Sequence, residues 1–205
     1  MSAARTLLAS LLIGAAGVAT LAAASDGFRA FTSQAALRLD VAEQPRPLPT
    51  VVLETAQGER IPLSSLRGRW LLVDFIYTRC TTYCMVQGGV FARVQRELAG
   101  PIARDKVALL SISFDPRHDG PTQLAGYLQR MGGRGERWIV ARPADAAGLQ
   151  ALLRSFGVVV LPDGLGGYVH NAAINVVDPQ GRLVAVTDWQ SPDEALAVLA
   201  RGGVR

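Results

Sequence analysis

A chain of 205 residues, 49% of them hydrophobic, can build one domain of about 150 residues with a full core and still have length to spare. Its net charge of +4 comes from 20 arginines and a single lysine, Lys106, spread among 17 acidic residues without a block or stripe, so the electrostatic footprint of a nucleic-acid binder is missing. Two cysteines are too few for a disulfide framework, and the compartment has to be read from targeting signals.

The N-terminus carries such a signal. Met1-Ser2-Ala3-Ala4-Arg5 is a short positive region, and residues 6–24 hold no charge. That run is long for a signal-peptide core and just long enough to span a membrane, while Ala22-Ala23-Ala24 offers a small-residue cleavage site. The positive-inside rule puts Arg5 in the cytoplasm and everything after residue 25 outside it. Residues 1–24 are therefore expected to be an inner-membrane signal anchor for a domain facing the periplasm, with a cleaved signal peptide and a soluble periplasmic domain as the alternative. Residues 25–49 read as a tether, ending in Pro45-Arg46-Pro47-Leu48-Pro49, which resists both helix and sheet ladders.

A folded domain is expected over residues 50–205. Val51-Val52-Leu53 and Arg60-Ile61-Pro62-Leu63 flank Ala56-Gln57-Gly58-Glu59, a hairpin at the edge of the fold. Residues 70–77 and 106–114 are nearly continuous apolar runs of strand length, suited to central strands buried on both faces. Between them, residues 85–98 place Val86, Val90, Phe91, Val94 and Leu98 on one helical face, which completes a βαβ unit. A helix over 121–131, a strand over 138–140 and a helix over 144–156 follow. Two strands, 168–177 and 182–186, are joined by Asp178-Pro179-Gln180-Gly181, a type I turn by its proline and glycine positions. Ser191-Pro192-Asp193-Glu194 opens a last helix with an N-cap serine, a first-turn proline and acids at the positive end. This order gives an α/β domain with a mixed sheet flanked by helices.

Cys80 and Cys84 lie four apart where the strand at 70–77 gives way to a helix. On a helix, that spacing puts both side chains on one face, with Cβ atoms roughly 5 to 6 Å apart. This suits a two-thiolate metal clamp, and a disulfide with some local adjustment. Soft thiolates select Cu(I), zinc or iron–sulfur centres, and imidazole suits copper and zinc. The chain has two histidines: His118, in the polar loop Asp115-Pro116-Arg117-His118-Asp119, and His170, delivered by the Gly-rich stretch Gly164-Leu165-Gly166-Gly167 to the start of an apolar strand. Taken alone, each histidine could equally be a surface or core residue, and the cysteines a structural pair whose short loop stabilises weakly. Other chemistries remain open: a peroxidase pair of thiols, a Cys2His zinc site, or inert cysteines in a binding domain. Thioredoxin-type oxidoreductases use two intervening residues, whereas this chain has three.

The segment Phe75-Ile76-Tyr77-Thr78-Arg79-Cys80 with Cys84 four residues on, the strand end Ser111-Ile112-Ser113-Phe114-Asp115-Pro116 followed by Asp119, and Val169-His170-Asn171 ahead of the Asp178–Gly181 turn together resemble the Sco/SenC family. The likeness spans residues 50 to about 203 and includes the N-terminal anchor and tether. It implies a thioredoxin-like fold and a copper metallochaperone that supplies the dinuclear copper centre of cytochrome c oxidase. Carried over position by position, Cys80 and Cys84 would be thiolate ligands able to close as a redox-active disulfide, and His170 the imidazole ligand of one copper ion. Implied partners are the oxidase's copper-bearing subunit or another cuproprotein, a thiol reductant, and the membrane. The alternative within the same resemblance is a thiol-disulfide reductase acting on a cuproprotein's cysteines. Where the family usually has a proline and an acidic residue after the first cysteine, this chain has Thr81 and Thr82; Met85 replaces a frequent proline, and Val169 a common acid before the histidine. Fewer nearby negative charges should lower the thiol pKa values and weaken attraction for a cation.

Overall fold

The computed structural model describes residues 3–80, 83–133 and 137–204, and the side chains of Tyr83, Cys84 and Met85 lie outside that description. Eight strands form the central sheet in the order β1 (Arg46–Pro47), β10 (Arg182–Thr187), β9 (Ile174–Val177), β4 (Trp70–Ile76), β5 (Val107–Ser113), β6 (Trp138–Pro143), β2 (Val52–Thr55) and β3 (Arg60–Pro62). The pairs β4–β5 and β5–β6 are parallel and the other neighbours antiparallel. The two runs expected to be central do sit at the centre, and the β2–β3 hairpin lies at an edge, with Val52 opposite Pro62.

Alternation along the strands divides the core into two layers. Leu71, Val73 and Phe75 of β4, with Ala108, Leu110 and Ile112 of β5, join a core layer completed by Val41 of α2 (Ser33–Glu43) and by Leu152 and Phe156 of α6 (Ala146–Phe156). Leu72 and Ile76, with Val107 and Leu109, join a second layer built from α3 (Tyr83–Glu97), α5 (Pro121–Arg130) and α7 (Pro192–Arg201), which supply Phe91, Leu124, Tyr127 and Leu199. Val86, expected on the inner face of α3, is exposed, while the next residue, Gln87, is buried. A short α4 (Ala99–Ala103) separates α3 from β5. Ser191 occupies the N-cap of α7 without a side-chain cap hydrogen bond, and Pro192 opens the helix as expected.

Two segments differ from the sequence expectation. The run expected as one strand over 168–177 is broken: β8 (Tyr168–His170) pairs only with β7 (Val160–Pro162) in a separate two-stranded sheet, and β9 resumes in the central sheet. The stretch 25–49, expected as a tether, carries α2, capped by the Thr32 hydroxyl accepting from Ala35 N at 3.1 Å, and β1, which pairs with β10. Val41 is fully enclosed, because α2 has an apolar side that the sheet can bury. Ahead of it, α1 (Ala3–Ala24) buries none of its residues and is apolar enough to cross a membrane.

Candidate metal centre

Parallel strands β4 and β5 end side by side, and the loops that leave them are locked together. Asp119 is fully buried and accepts three hydrogen bonds: from Thr78 N at 2.9 Å, from the Thr78 hydroxyl at 2.6 Å and from the Ser113 hydroxyl at 2.6 Å. This fixes the backbone two residues before Cys80 against the end of β5. Arg130 adds a bond from Nη2 to Thr78 O at 3.3 Å. Asp115 accepts from Arg79 Nη2 at 2.9 Å and faces His118 Nδ1 at 2.9 Å. Burial would raise the Asp115 carboxyl, but the hydrogen bonds from His118 and Arg79 outweigh it and hold the group below the ordinary carboxylate range. His118 is half exposed and committed to Asp115 and Arg79.

Cys80 is buried, and its backbone N–H donates to Tyr77 O at 3.3 Å. It belongs to the core layer that holds Tyr77, Phe114 and Ala173, against which Tyr168 packs. Cys84 lies in the first turn of α3, with its side chain among those not described, and Thr81 and Thr82 also fall outside the described residues. His170 ends β8 and meets the same aromatic cluster: its ring centroid is 5.0 Å from that of Phe114, which in turn lies 5.4 Å from Tyr77 and 5.6 Å from Tyr168. His170 thus meets these rings directly, and Cys80, ninety positions away in the sequence, belongs to the same core layer as Tyr77 and Phe114.

The state of His170 is the most telling feature. Burial pushes its imidazole down to about 4, so it is neutral across the physiological range and keeps a lone pair. Its Nδ1 is buried with no hydrogen-bond partner among the described residues. Buried polar atoms are nearly always satisfied, so this nitrogen of a neutral ring is left with its hydrogen-bonding capacity unused, as are the Asp74 carboxylate oxygens and Asn175 Oδ1. The sequence offers Cys80 as a candidate by residue type and spacing, and His170 through the family resemblance. Sequence reasoning did not find the Tyr77–Phe114–Tyr168 rings or the Asp119 lock, although three aromatic residues within a few positions of Cys80, Asp115 and His170 were a readable signal.

The Gly-rich loop before β8 is shaped rather than loose. Asp163 Oδ1 accepts from Leu165 N at 2.7 Å and Gly167 N at 2.9 Å, and these bonds lower the Asp163 carboxyl. Gly164 and Gly166 supply the left-handed backbone this turn needs, with φ of +77° and +88°.

Residues 49–201 match the family model described as SCO1/SenC. The chain belongs to the SCO1/SenC family. Among curated proteins, it is 26% identical to the SCO1 protein homolog of Bacillus subtilis over 133 residues, 64% of this chain and 68% of that protein. Among solved structures, Bradyrhizobium japonicum ScoI with copper bound is 28% identical, with a TM-score of 0.64, covering 76% of this chain and 98% of that one. BsSco, described as having a disulfide switch and as a member of the Sco family of cytochrome c oxidase assembly proteins, has a TM-score of 0.67 at 21% identity, covering 79% of this chain and 96% of its own. The SCO1/SenC fold shared with these structures is thioredoxin-like, as the sequence resemblance implied.

Proposed function

We propose that this chain is a copper metallochaperone that holds one copper ion between the thiolates of Cys80 and Cys84 and the imidazole of His170 and passes it to the dinuclear copper centre of cytochrome c oxidase. The observation that carries this reading is the neutral imidazole of His170, with its buried Nδ1 unpartnered among the described residues and its ring against Phe114, in the core layer that also holds Cys80. Two soft thiolates and an imidazole are a donor set that suits copper. The copper-bound ScoI structure at 28% identity supports the same cargo. A thiol-disulfide reductase would need both cysteines and no imidazole ligand, so the His170 geometry favours metal handling.

In this reading copper is cargo, and its transfer is ligand exchange onto a more competitive site. Tyr77, Phe114 and Tyr168 form an apolar wall beside His170, and a wall of this kind limits the access of water to a bound ion. Oxidation of the two thiols to a Cys80–Cys84 disulfide, with two electrons passing to an external oxidant, removes both thiolate donors and releases the ion. The segment α1 holds the protein in the inner membrane, with the domain on the periplasmic side, where a thiol reductant resets the pair.

Copper titration of the reduced chain tests the ligand set. The expected stoichiometry is about one copper per chain, lost in Cys80→Ser and Cys84→Ser and weakened with an altered spectrum in His170→Ala. Unchanged copper content and spectrum in His170→Ala would remove the imidazole from the site and, with it, the argument against a reductase.

A further inference from the structure

The strand that bears His170 has no ladder to the main sheet. Among the described residues its only strand partner is β7, with Val160 opposite His170, and the two form a sheet separate from the eight-stranded one. Something other than backbone pairing must therefore fix the imidazole relative to Cys80. Two side chains do so, one on each flank of His170. On the N-terminal flank, the Tyr77 hydroxyl accepts from Tyr168 N at 3.3 Å and lies 3.5 Å from Tyr168 O, while the two rings meet edge to face at 5.3 Å. Tyr77 also accepts the backbone N–H of Cys80, so one residue contacts both ends of the proposed site. On the C-terminal flank, Asn171 Oδ1 accepts from Val159 N at 2.7 Å and Asn171 Nδ2 donates to Gly157 O at 2.8 Å. Gly157 is the C-cap of α6, whose Phe156 is fully buried in the core, so Asn171 ties the arm to rigid structure.

We propose that Asn171 and Tyr77 are positioning residues that clamp the His170 arm from both sides and set the imidazole against the thiols. The inference rests on His170 being a copper ligand. Asn171 uses its amide as both donor and acceptor, which neither a carboxylate nor a hydrocarbon can do. Tyr77 contributes both its hydroxyl and the edge-to-face contact of its ring with Tyr168, and Tyr77→Phe removes only the first.

Asn171→Ala, Asn171→Asp and Tyr77→Phe, each also built in a His170→Ala background, test the clamp through the rate of copper loss to a chelator, with the thermal midpoint recorded for every variant. Asn171→Ala should lose copper about tenfold or more faster than wild type, in the range that outer partners of metal ligands command. Asn171→Asp, which keeps only the acceptor, should fall between. In the His170→Ala background neither Asn171→Ala nor Tyr77→Phe should speed loss further, because their effect passes through the imidazole. An equal further acceleration without His170 would show a general structural role and overturn the proposal, as would a wild-type rate in folded Asn171→Ala and Tyr77→Phe. Should Asn171→Ala fail to fold, Tyr77→Phe carries the test, since it removes one oxygen from a retained ring. If His170→Ala itself keeps the wild-type rate, the ligand reading fails first, and the result is distinct from failure of the clamp alone.

Discussion

Asp74 is fully enclosed in the middle of β4, between Leu72 and Ile76 on the α3 side of the sheet. Neither carboxylate oxygen has a hydrogen-bond partner among the described residues. Burial therefore raises its pKa from 3.8 to about 7, with the Ser111 hydroxyl opposite offsetting a part. The native state keeps this proton between about pH 4 and 7 while the unfolded chain has released it, so stability falls as pH rises through that window. His170 works in the other direction: native imidazole stays neutral down to about 4 against 6.5 for the ordinary group, so its contribution grows as pH rises from 4 to 6.5. The two slopes partly cancel in the wild type, and only a variant separates them. Asp74→Asn should be more stable than wild type at pH 8, by a margin on the order of 4 kcal/mol if the whole shift is expressed. Near pH 4 the gap should close. Urea midpoints of both proteins at pH 4.5 and 8 measure it, and a pH-independent gap would show that Asp74 does not titrate in that window. At this scale the sequence offered Cys80 and Cys84 as candidates by residue type and spacing, and His170 through the family resemblance. It could not announce that Asp74 is sealed from water or that Nδ1 of His170 is unsatisfied, because both depend on which side chains close over them.

Elements whose boundaries are set by local chemistry were readable. The cap of α6 is Asp145, which accepts from Gly148 N at 2.7 Å, and its stop is Gly157 in the left-handed conformation at φ +66°. The split of the 168–177 run was not readable, since what breaks it is Asn171, whose side chain bonds to backbone groups of Gly157 and Val159. No periodicity in the run itself reports that choice. The docking of α2 has the same origin: Leu37 lies in the space a Cβ on Gly157 would fill, with methyl carbons 2.7 and 2.8 Å from that point. Gly157→Ala is thus doubly unfavourable, by backbone strain of roughly 1–2 kcal/mol and by displacement of Leu37. Thermal unfolding should show a lower midpoint. Limited proteolysis should cut sooner within residues 33–44 than in wild type, and an unchanged cutting pattern would mean that α2 is held independently of Gly157.

At the scale of the whole molecule, the packed α2 brings the domain close to the apolar helix α1. Only residues 25–32 separate α1 from α2, and they form a compact turn rather than a free leash: the Ser25 hydroxyl donates to Leu21 O at 2.6 Å, Gly27 N to Ala22 O at 2.8 Å, and Arg29 N to Ser25 O at 2.8 Å. The 22 residues of α1 span about 33 Å, close to the hydrocarbon thickness of a bilayer. Directly after it come Phe28 and Phe31, exposed at 48% and 66%, their rings 6.4 Å apart. Exposed aromatic rings at the foot of an apolar helix fit the boundary between headgroups and acyl chains. The protein in native membranes is therefore expected to retain α1 and to seat this turn in the interface, with the metal centre carried on a domain of limited reach. Two measurements separate these statements. N-terminal sequencing of the mature protein decides retention, and a start at Ser25 would show a cleaved signal. For the retained form in vesicles, Phe31→Trp should add emission that shallowly brominated lipids quench, over the background of Trp70, Trp138 and Trp189, which all lie in the domain. Added emission that such lipids leave unquenched would place the turn in water, and the domain would then stand off the bilayer despite its short connection.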